Sequence, residues 1–174
     1  MTGASGRVAP AAGPADWDEV GRLIAAYLGS LDFDIGFQGL DPELEDPAGS
    51  YGPPRGAALL ARTPDGRAVG FTGVRPFPAT GPPTDAGGDA ELKRMYVEPA
   101  GRGLGLGRAL GEAAIDEARR LGYRRLLLDS RVSLVAACAL YRSLGFVDVA
   151  PYRHNPFADA VFLALDLEGS PTAR

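Results

Sequence analysis

The stretch Arg102-Gly103-Leu104-Gly105-Leu106-Gly107-Arg108 constrains this chain more than any other. Residues 91–97 before it read as a strand. After it, Leu106, Leu110, Ala113, Ala114, Ile115 and Ala118 recur at helical spacing over 105–121, and Gly122 closes the run as a C′ glycine. A strand therefore passes through a glycine-rich turn straight into a helix. The first backbone N–H groups of a helix have no internal partner, and the helix dipole puts partial positive charge beside them. Glycines let a ligand approach that backbone closely, and Arg102 and Arg108 add formal charge. The segment reads as a site for an anion or a pyrophosphate, or as a tight turn that needs glycine for geometry alone.

Two nucleotide-binding alternatives fit poorly. A Rossmann turn belongs in an early βαβ unit, whereas this one lies late in the chain. A Walker loop needs Gly-Lys-Ser/Thr, which is missing.

The other elements follow from pattern. Residues 7–9 open a short strand. Asp16 with Glu19 fits a capping box for a helix over 16–30, whose apolar face runs through Trp17, Val20, Leu23, Ile24, Tyr27, Leu28 and Leu31. Residues 33–54 read as an ordered loop with a short helix near 42–46. The runs 57–62 and 68–74, joined by Thr63-Pro64-Asp65-Gly66-Arg67, form a hairpin. Residues 76–88 are rich in Pro and Gly and read as mobile. Strands follow at 125–129, 146–149 and 160–167, with a helix over 133–144 closed by Gly145. Hairpins come first and alternation later. This implies an α/β (α+β mixed) fold in one domain over 1–174, with loose ends near 1–6 and 169–174. Its core would be a mixed, mostly antiparallel twisted sheet of six to seven strands, flanked by about four helices.

Composition excludes more than it identifies. The formal net charge of −4 gives no basic excess for nucleic acid or anionic membrane. One cysteine, Cys138, and one histidine, His154, argue against a disulfide or a metal cluster. No apolar run approaches the ~20 residues of a membrane helix, and residues 1–15 lack the layout of a signal peptide. A cytoplasmic protein without nucleic acid, membrane or metal partners is the expectation.

Arg102-x-x-Gly105-x-Gly107 resembles the coenzyme A signature of the GNAT N-acetyltransferases. Leu92-Lys93-Arg94-Met95-Tyr96-Val97-x-Pro99 and Leu140-Tyr141-x-x-x-Gly145-Phe146 are similar to the elements that flank it in that family. Three motifs in order cover residues 89–149. The resemblance implies an N-acetyltransferase that takes the acetyl group of acetyl-CoA. Backbone amides of Arg102, Gly103, Leu104, Gly105, Leu106, Gly107 and Arg108 would hold the pyrophosphate. Met95, Tyr96 and Val97 would pair with the pantetheine arm as an added strand. Many members carry Asn where this chain has Leu134, so Ser133 stands as a substitute cofactor contact.

Amide formation needs a base for the amine and an acid for the departing thiolate. By resemblance, Glu91 is the base and Tyr141 the acid. The other readings are a carboxylate paired with Lys93 or another cation, and a core tyrosine. Cys138 reads as a small buried residue rather than an acyl carrier. Phe37, Gln38 and Tyr51, together with Asn155, fall where the family builds its acceptor wall. Arg94 or Arg131 would grip a substrate carboxylate, or else is a solvated surface charge. The resulting expectation is transfer of acetyl to a small-molecule primary amine by direct attack in a ternary complex, by a monomer or homodimer. A protein or peptide N-acetyltransferase and a non-catalytic acyl-CoA-binding module are the alternatives.

Overall fold

The computed structural model describes residues 6–78 and 88–168 of the chain. Its sheet is built from β1 (Arg7–Pro10), β2 (Ala57–Arg62), β3 (Ala68–Phe77), β4 (Asp89–Val97), β5 (Arg125–Arg131), β6 (Val147–Asp148) and β7 (Ala160–Asp166), in the order β1-β2-β3-β4-β5-β7-β6. All neighbours are antiparallel except β4 and β5. The helices are α1 (Pro14–Ser30), α2 (Asp41–Glu45), α3 (Pro47–Tyr51), α4 (Leu106–Arg120) and α5 (Val135–Ser143). The mixed, mostly antiparallel sheet is as the sequence implies, with five α-helices among the described residues against an expectation of about four. Most of residues 76–88, read as mobile, lie outside the described residues, but Pro76 and Phe77 belong to β3.

The apolar stripe of α4 decides how the layers stack. Leu106, Leu110, Ala114 and Ala118 pack with Leu59, Val69, Leu92 and Leu126 on one face of the sheet, and α5 adds Tyr141 there. The opposite face takes Val20, Leu23 and Ile24 of α1, with Tyr51 against Leu60 and Phe71. The capping box is not formed. Pro14 occupies the first turn, Gly13 is the N-cap, and Asp16 reaches back to accept from the Ala12 N–H at 2.9 Å. Glu19 instead pairs with Arg22. Proline suits that first turn because its missing N–H was unpartnered anyway.

Two irregularities in β4 shape the site. The first is a bulge. Phe71 faces Tyr96 and Gly73 faces Lys93, so β4 carries one residue more than β3. Arg94 absorbs it at φ +59°, and the Thr72 hydroxyl donates to the Lys93 carbonyl at 3.0 Å. Strict alternation would have put Glu91, Lys93 and Met95 on one face. The bulge instead sends Met95 and Val97 into the α4 side, while Lys93 and Arg94 turn toward the Gln38 and Glu43 side chains.

The second irregularity is a splay. β4 and β5 pair only over Asp89↔Arg125, Ala90↔Leu126 and Glu91↔Leu127. β5 then stays with β7 as far as Arg131↔Ala160. From Leu92 onward β4 has no strand partner on that side among the described residues.

Candidate active site

The splay opens a cleft through the sheet. Leu92, Arg94 and Met95 form one wall, and Leu128, Asp129, Ser130 and Arg131 the other. Leu134, the N-cap of α5, with Ala137 and Tyr141 of that helix closes one side, and Tyr27, Phe33, Gln38, Asn155 and Phe157 close the other.

The glycine turn lies beyond the Val97 end of this cleft. Val97, Gly101, Arg102, Gly103, Gly105, Leu106, Gly107 and Arg108 line a concavity there. Gly103 and Gly105 have φ of +77° and +74°, a region that side chains strain to reach. The first α4 hydrogen bond across the cap runs from Ala109 N–H to Gly105 O at 3.1 Å, which leaves the N–H groups of Leu106, Gly107 and Arg108 without helical partners. A Cβ on Gly107 would meet only Leu140, at 3.7 Å. Arg102 donates through Nε to Val97 O at 3.3 Å, and Arg108 bonds Ser143 and Glu112. Leu104 is exposed. Ser133 is exposed too, and its N–H donates to Asp159 at 3.4 Å, while Leu134 and not Ser133 lines the cleft.

Tyr141 is 6% exposed and lines the cleft, its ring edge set against Phe146. Its hydroxyl makes no hydrogen bond among the described residues. Burial pushes the phenol pKa up, so the group keeps its proton at neutral pH and stays loaded as a donor. Cys138, one turn earlier, is buried with Sγ 3.2 Å from Arg131 O, which fits a packing residue.

The carboxylate that faces the cleft is Asp129. Its side chain is 4% exposed, accepts from Asn155 Nδ2 at 2.9 Å and lies 3.6 Å from Arg153 Nη1. Sequence reasoning missed it because Leu126-Leu127-Leu128-Asp129 reads as one buried strand. The available signal was an acid ending an apolar run just where a neighbouring strand can diverge. Asn155, placed in the acceptor wall from sequence, lines the cleft and donates to Asp129.

Glu91 stands elsewhere. It is 0% exposed, does not line the cleft, and is gripped by Arg75 at 3.4 Å, Lys93 at 3.3 Å and Arg153. Beside it, Glu43 accepts from Arg94 Nε and Nη2, both at 2.9 Å, from Arg75 at 3.2 Å and from the Tyr51 hydroxyl at 2.7 Å. Gln38 Oε1 bridges Lys93 and Arg94 at 2.9 and 2.7 Å. Tyr51 is therefore not an acceptor-wall residue: it is 0% exposed in the core, where its hydroxyl holds Glu43. Arg94 lines the cleft, but Glu43 and Gln38 occupy its guanidinium, so it is not free to grip a substrate carboxylate. Phe37 is a rim residue, 40% exposed with its ring edge on Phe157.

This buried cluster makes stability depend on pH. Burial, opposed by Glu91 and aided by Arg94, lowers the Lys93 pKa to about 8. Between that value and the reference value of ~10.4, the unfolded chain holds a proton that the folded chain has shed, so stability rises with pH. Urea unfolding should show wild type gaining on Lys93→Met from pH 8 upward. A gap independent of pH would rule this out.

Among the described residues no group of three or more His, Cys, Asp and Glu is placed to hold a metal, and no helix is long and apolar enough to cross a membrane. His154 is exposed.

Comparison with known proteins agrees with the geometry. The acetyltransferase (GNAT) family profile matches residues 26–146. An uncharacterised N-acetyltransferase of Schizosaccharomyces pombe is 40% identical over 154 residues, 88% of this chain and 90% of the relative. An uncharacterised N-acetyltransferase of Escherichia coli is 37% identical over 125 residues, 72% of this chain and 71% of the relative. A Salmonella typhimurium structure described as an acetyltransferase with its cofactor acetyl-CoA superposes with a TM-score of 0.65 at 22% identity, covering 98% of this chain and 99% of that one. At that identity the likeness is one of fold.

Proposed function

Because this chain belongs to the acetyltransferase (GNAT) family, we propose that it transfers the acetyl group of acetyl-CoA to the primary amine of a small molecule, by direct attack within a ternary complex. The carrying observation is that one cleft joins Asp129 and Tyr141, while the glycine turn lines a second concavity that begins at Val97, two residues along β4 from the Met95 wall of the cleft. In this reading the first-turn amides of α4, with Arg102 and Arg108, hold the pyrophosphate. The unpaired edge of β4 from Leu92 takes the pantetheine arm as an added strand. Val97 O accepts from Arg102 Nε and keeps a second lone pair for that pairing.

The amine nitrogen attacks the thioester carbon, the carbon–sulfur bond breaks, and the products are an amide and the free thiol. Asp129 takes the proton that the amine sheds, and Tyr141 gives one to the sulfur. The base role passes from Glu91 to Asp129 because only Asp129 reaches the cleft, whereas three cations enclose Glu91. Phe33, Phe157 and Gln38 wall the acceptor end, which favours a small molecule over a peptide laid in an open groove.

Titration calorimetry with acetyl-CoA tests the donor site. Gly107→Glu fits sterically, since only Leu140 is near, and it sets a negative charge where the pyrophosphate belongs. Wild type should bind in the micromolar range and the variant should give no heat of binding at the same concentrations. Equal binding by both would remove the glycine turn from the donor site.

A further inference from the structure

Arg131 is built for a task that acetyl transfer alone does not require. Its guanidinium lies 4.6 Å from the Phe33 ring centroid and 4.3 Å from that of Phe157. Such stacking holds the fork flat and costs little hydration. Nε donates to Asp159 at 2.8 Å, and the two Nη groups make no hydrogen bond among the described residues. With Nε occupied, the end-on pair of Nη donors remains, the geometry that a carboxylate accepts in bidentate fashion.

Asp129 lies two residues earlier on β5, and both side chains line the cleft. Two residues of strand span roughly 6.6 Å, which suits an amine and a carboxylate a few carbons apart.

The charges in and beneath the cleft point the same way. Arg75, Lys93, Arg94, Arg131 and Arg153 stand against Glu43, Glu91, Asp129 and Asp159, five cations to four carboxylates. Arg131 and Asp159 pair with each other, and among the rest four cations face three carboxylates, so one positive charge is left over beneath the cleft, where uncompensated charge is costly. The lowered pKa of Lys93, due first to burial, agrees with that excess. The carboxylate of an amino acid offsets the charge of its own ammonium, so that acceptor adds nothing to the excess, whereas a polycationic amine aggravates it.

We propose that the acceptor is an amino acid or a close analogue, whose amine meets Asp129 and whose carboxylate is held end-on by Arg131. Tyr27, Phe33 and Phe157 then surround its side chain. The proposal rests on the acetyltransferase reading and narrows its substrate class.

The test uses free amino acids with aromatic and aliphatic side chains beside their carboxamides, with spermidine and an alanine-headed tetrapeptide as competing acceptor types. Thiol release from acetyl-CoA is the readout. In wild type the free acids should exceed their amides in kcat/KM by roughly ten- to a hundredfold, as a charge-assisted bidentate contact implies. Arg131→Gln should bring that ratio to near unity while acetyl-CoA affinity stays unchanged. Preference for the amides, the polyamine or the peptide would overturn the proposal. So would an acid preference that survives in Arg131→Gln, or a panel in which nothing reacts. The wild-type ratio needs no variant, so misfolding of Arg131→Gln would not shelter the idea. Calorimetry with acetyl-CoA on the same samples separates the two failures: donor bound with no amino acid turnover sinks only the acceptor class, and donor unbound sinks the acetyltransferase reading itself.

Discussion

Tyr141→Phe should lower kcat by about two to four orders of magnitude, the usual worth of a positioned acid, and leave acetyl-CoA binding within about twofold. The ring stays, so its packing against Phe146 and the α4 side is kept, and only an oxygen without a hydrogen bond among the described residues is lost. Thermal unfolding should therefore be close to wild type, and the lost rate reports chemistry. Asp129→Asn should produce a comparable loss because the amide cannot take up the amine proton, whereas Glu91→Gln should act mainly on stability. Rates that survive Tyr141→Phe and Asp129→Asn together would end the acid–base scheme. A module that only binds acyl-CoA has no turnover to lose, so turnover in wild type already separates it from the enzyme.

The second large effect is on folding. Glu43 is buried and holds Arg94 by two hydrogen bonds, with Arg75 and the Tyr51 hydroxyl as further donors. Burial works against its carboxylate, but Arg94 and Tyr51 keep the pKa below the usual range. Glu43→Ala strips the counter-charge from two arginines that have little access to water. Breaking a buried pair from one side costs about 3–5 kcal/mol. For a chain of this size that corresponds to a fall in Tm of roughly 6–20 °C. Glu43→Ala combined with Arg94→Met should be milder than Glu43→Ala alone, because it removes both the charge and its partner. A Tm within a degree or two of wild type for Glu43→Ala would show that the cluster contributes little.

What could be read ahead of the structure divides along a physical line. The glycine turn was legible because φ near +75° is affordable only to glycine, and Gly103 and Gly105 occupy that region. Gly122 and Gly145, at +84° and +100°, marked two helix ends for the same reason. Tyr141 was legible through its motif. A bulge on this strand is what the family resemblance implies, but its place is not legible in the residues, since an arginine at φ +59° breaks no pattern that single residues display. That one residue decided which of Glu91, Lys93 and Met95 share a face. Asp129 was hidden because its access depends on where β4 and β5 stop pairing, a property of two strands more than 30 residues apart. Glu43 fell in the short helix near 42–46 and Tyr51 in what read as loop, and only their meeting with Arg75 and Arg94 made them structural. Arg131 was weighed as a carboxylate ligand or as surface charge, and the stacking on Phe33 and Phe157 is visible only when three distant segments are brought together.

If the donor pairs with β4 as proposed, the short pairing between β4 and β5 would also tie this protein's persistence to metabolism. The donor would then finish a sheet that lacks its strand partner from Leu92 onward, and acetyl-CoA would act as a removable piece of the fold. When the donor stands about a hundredfold above its Kd, the native state gains ~2.7 kcal/mol, and that gain vanishes as the donor is consumed. A starved cell would hold a looser population, opened more often to proteases, and a well-fed one a population that turns over slowly. Supply of the acyl donor would thus set how much enzyme survives as well as how fast each copy works.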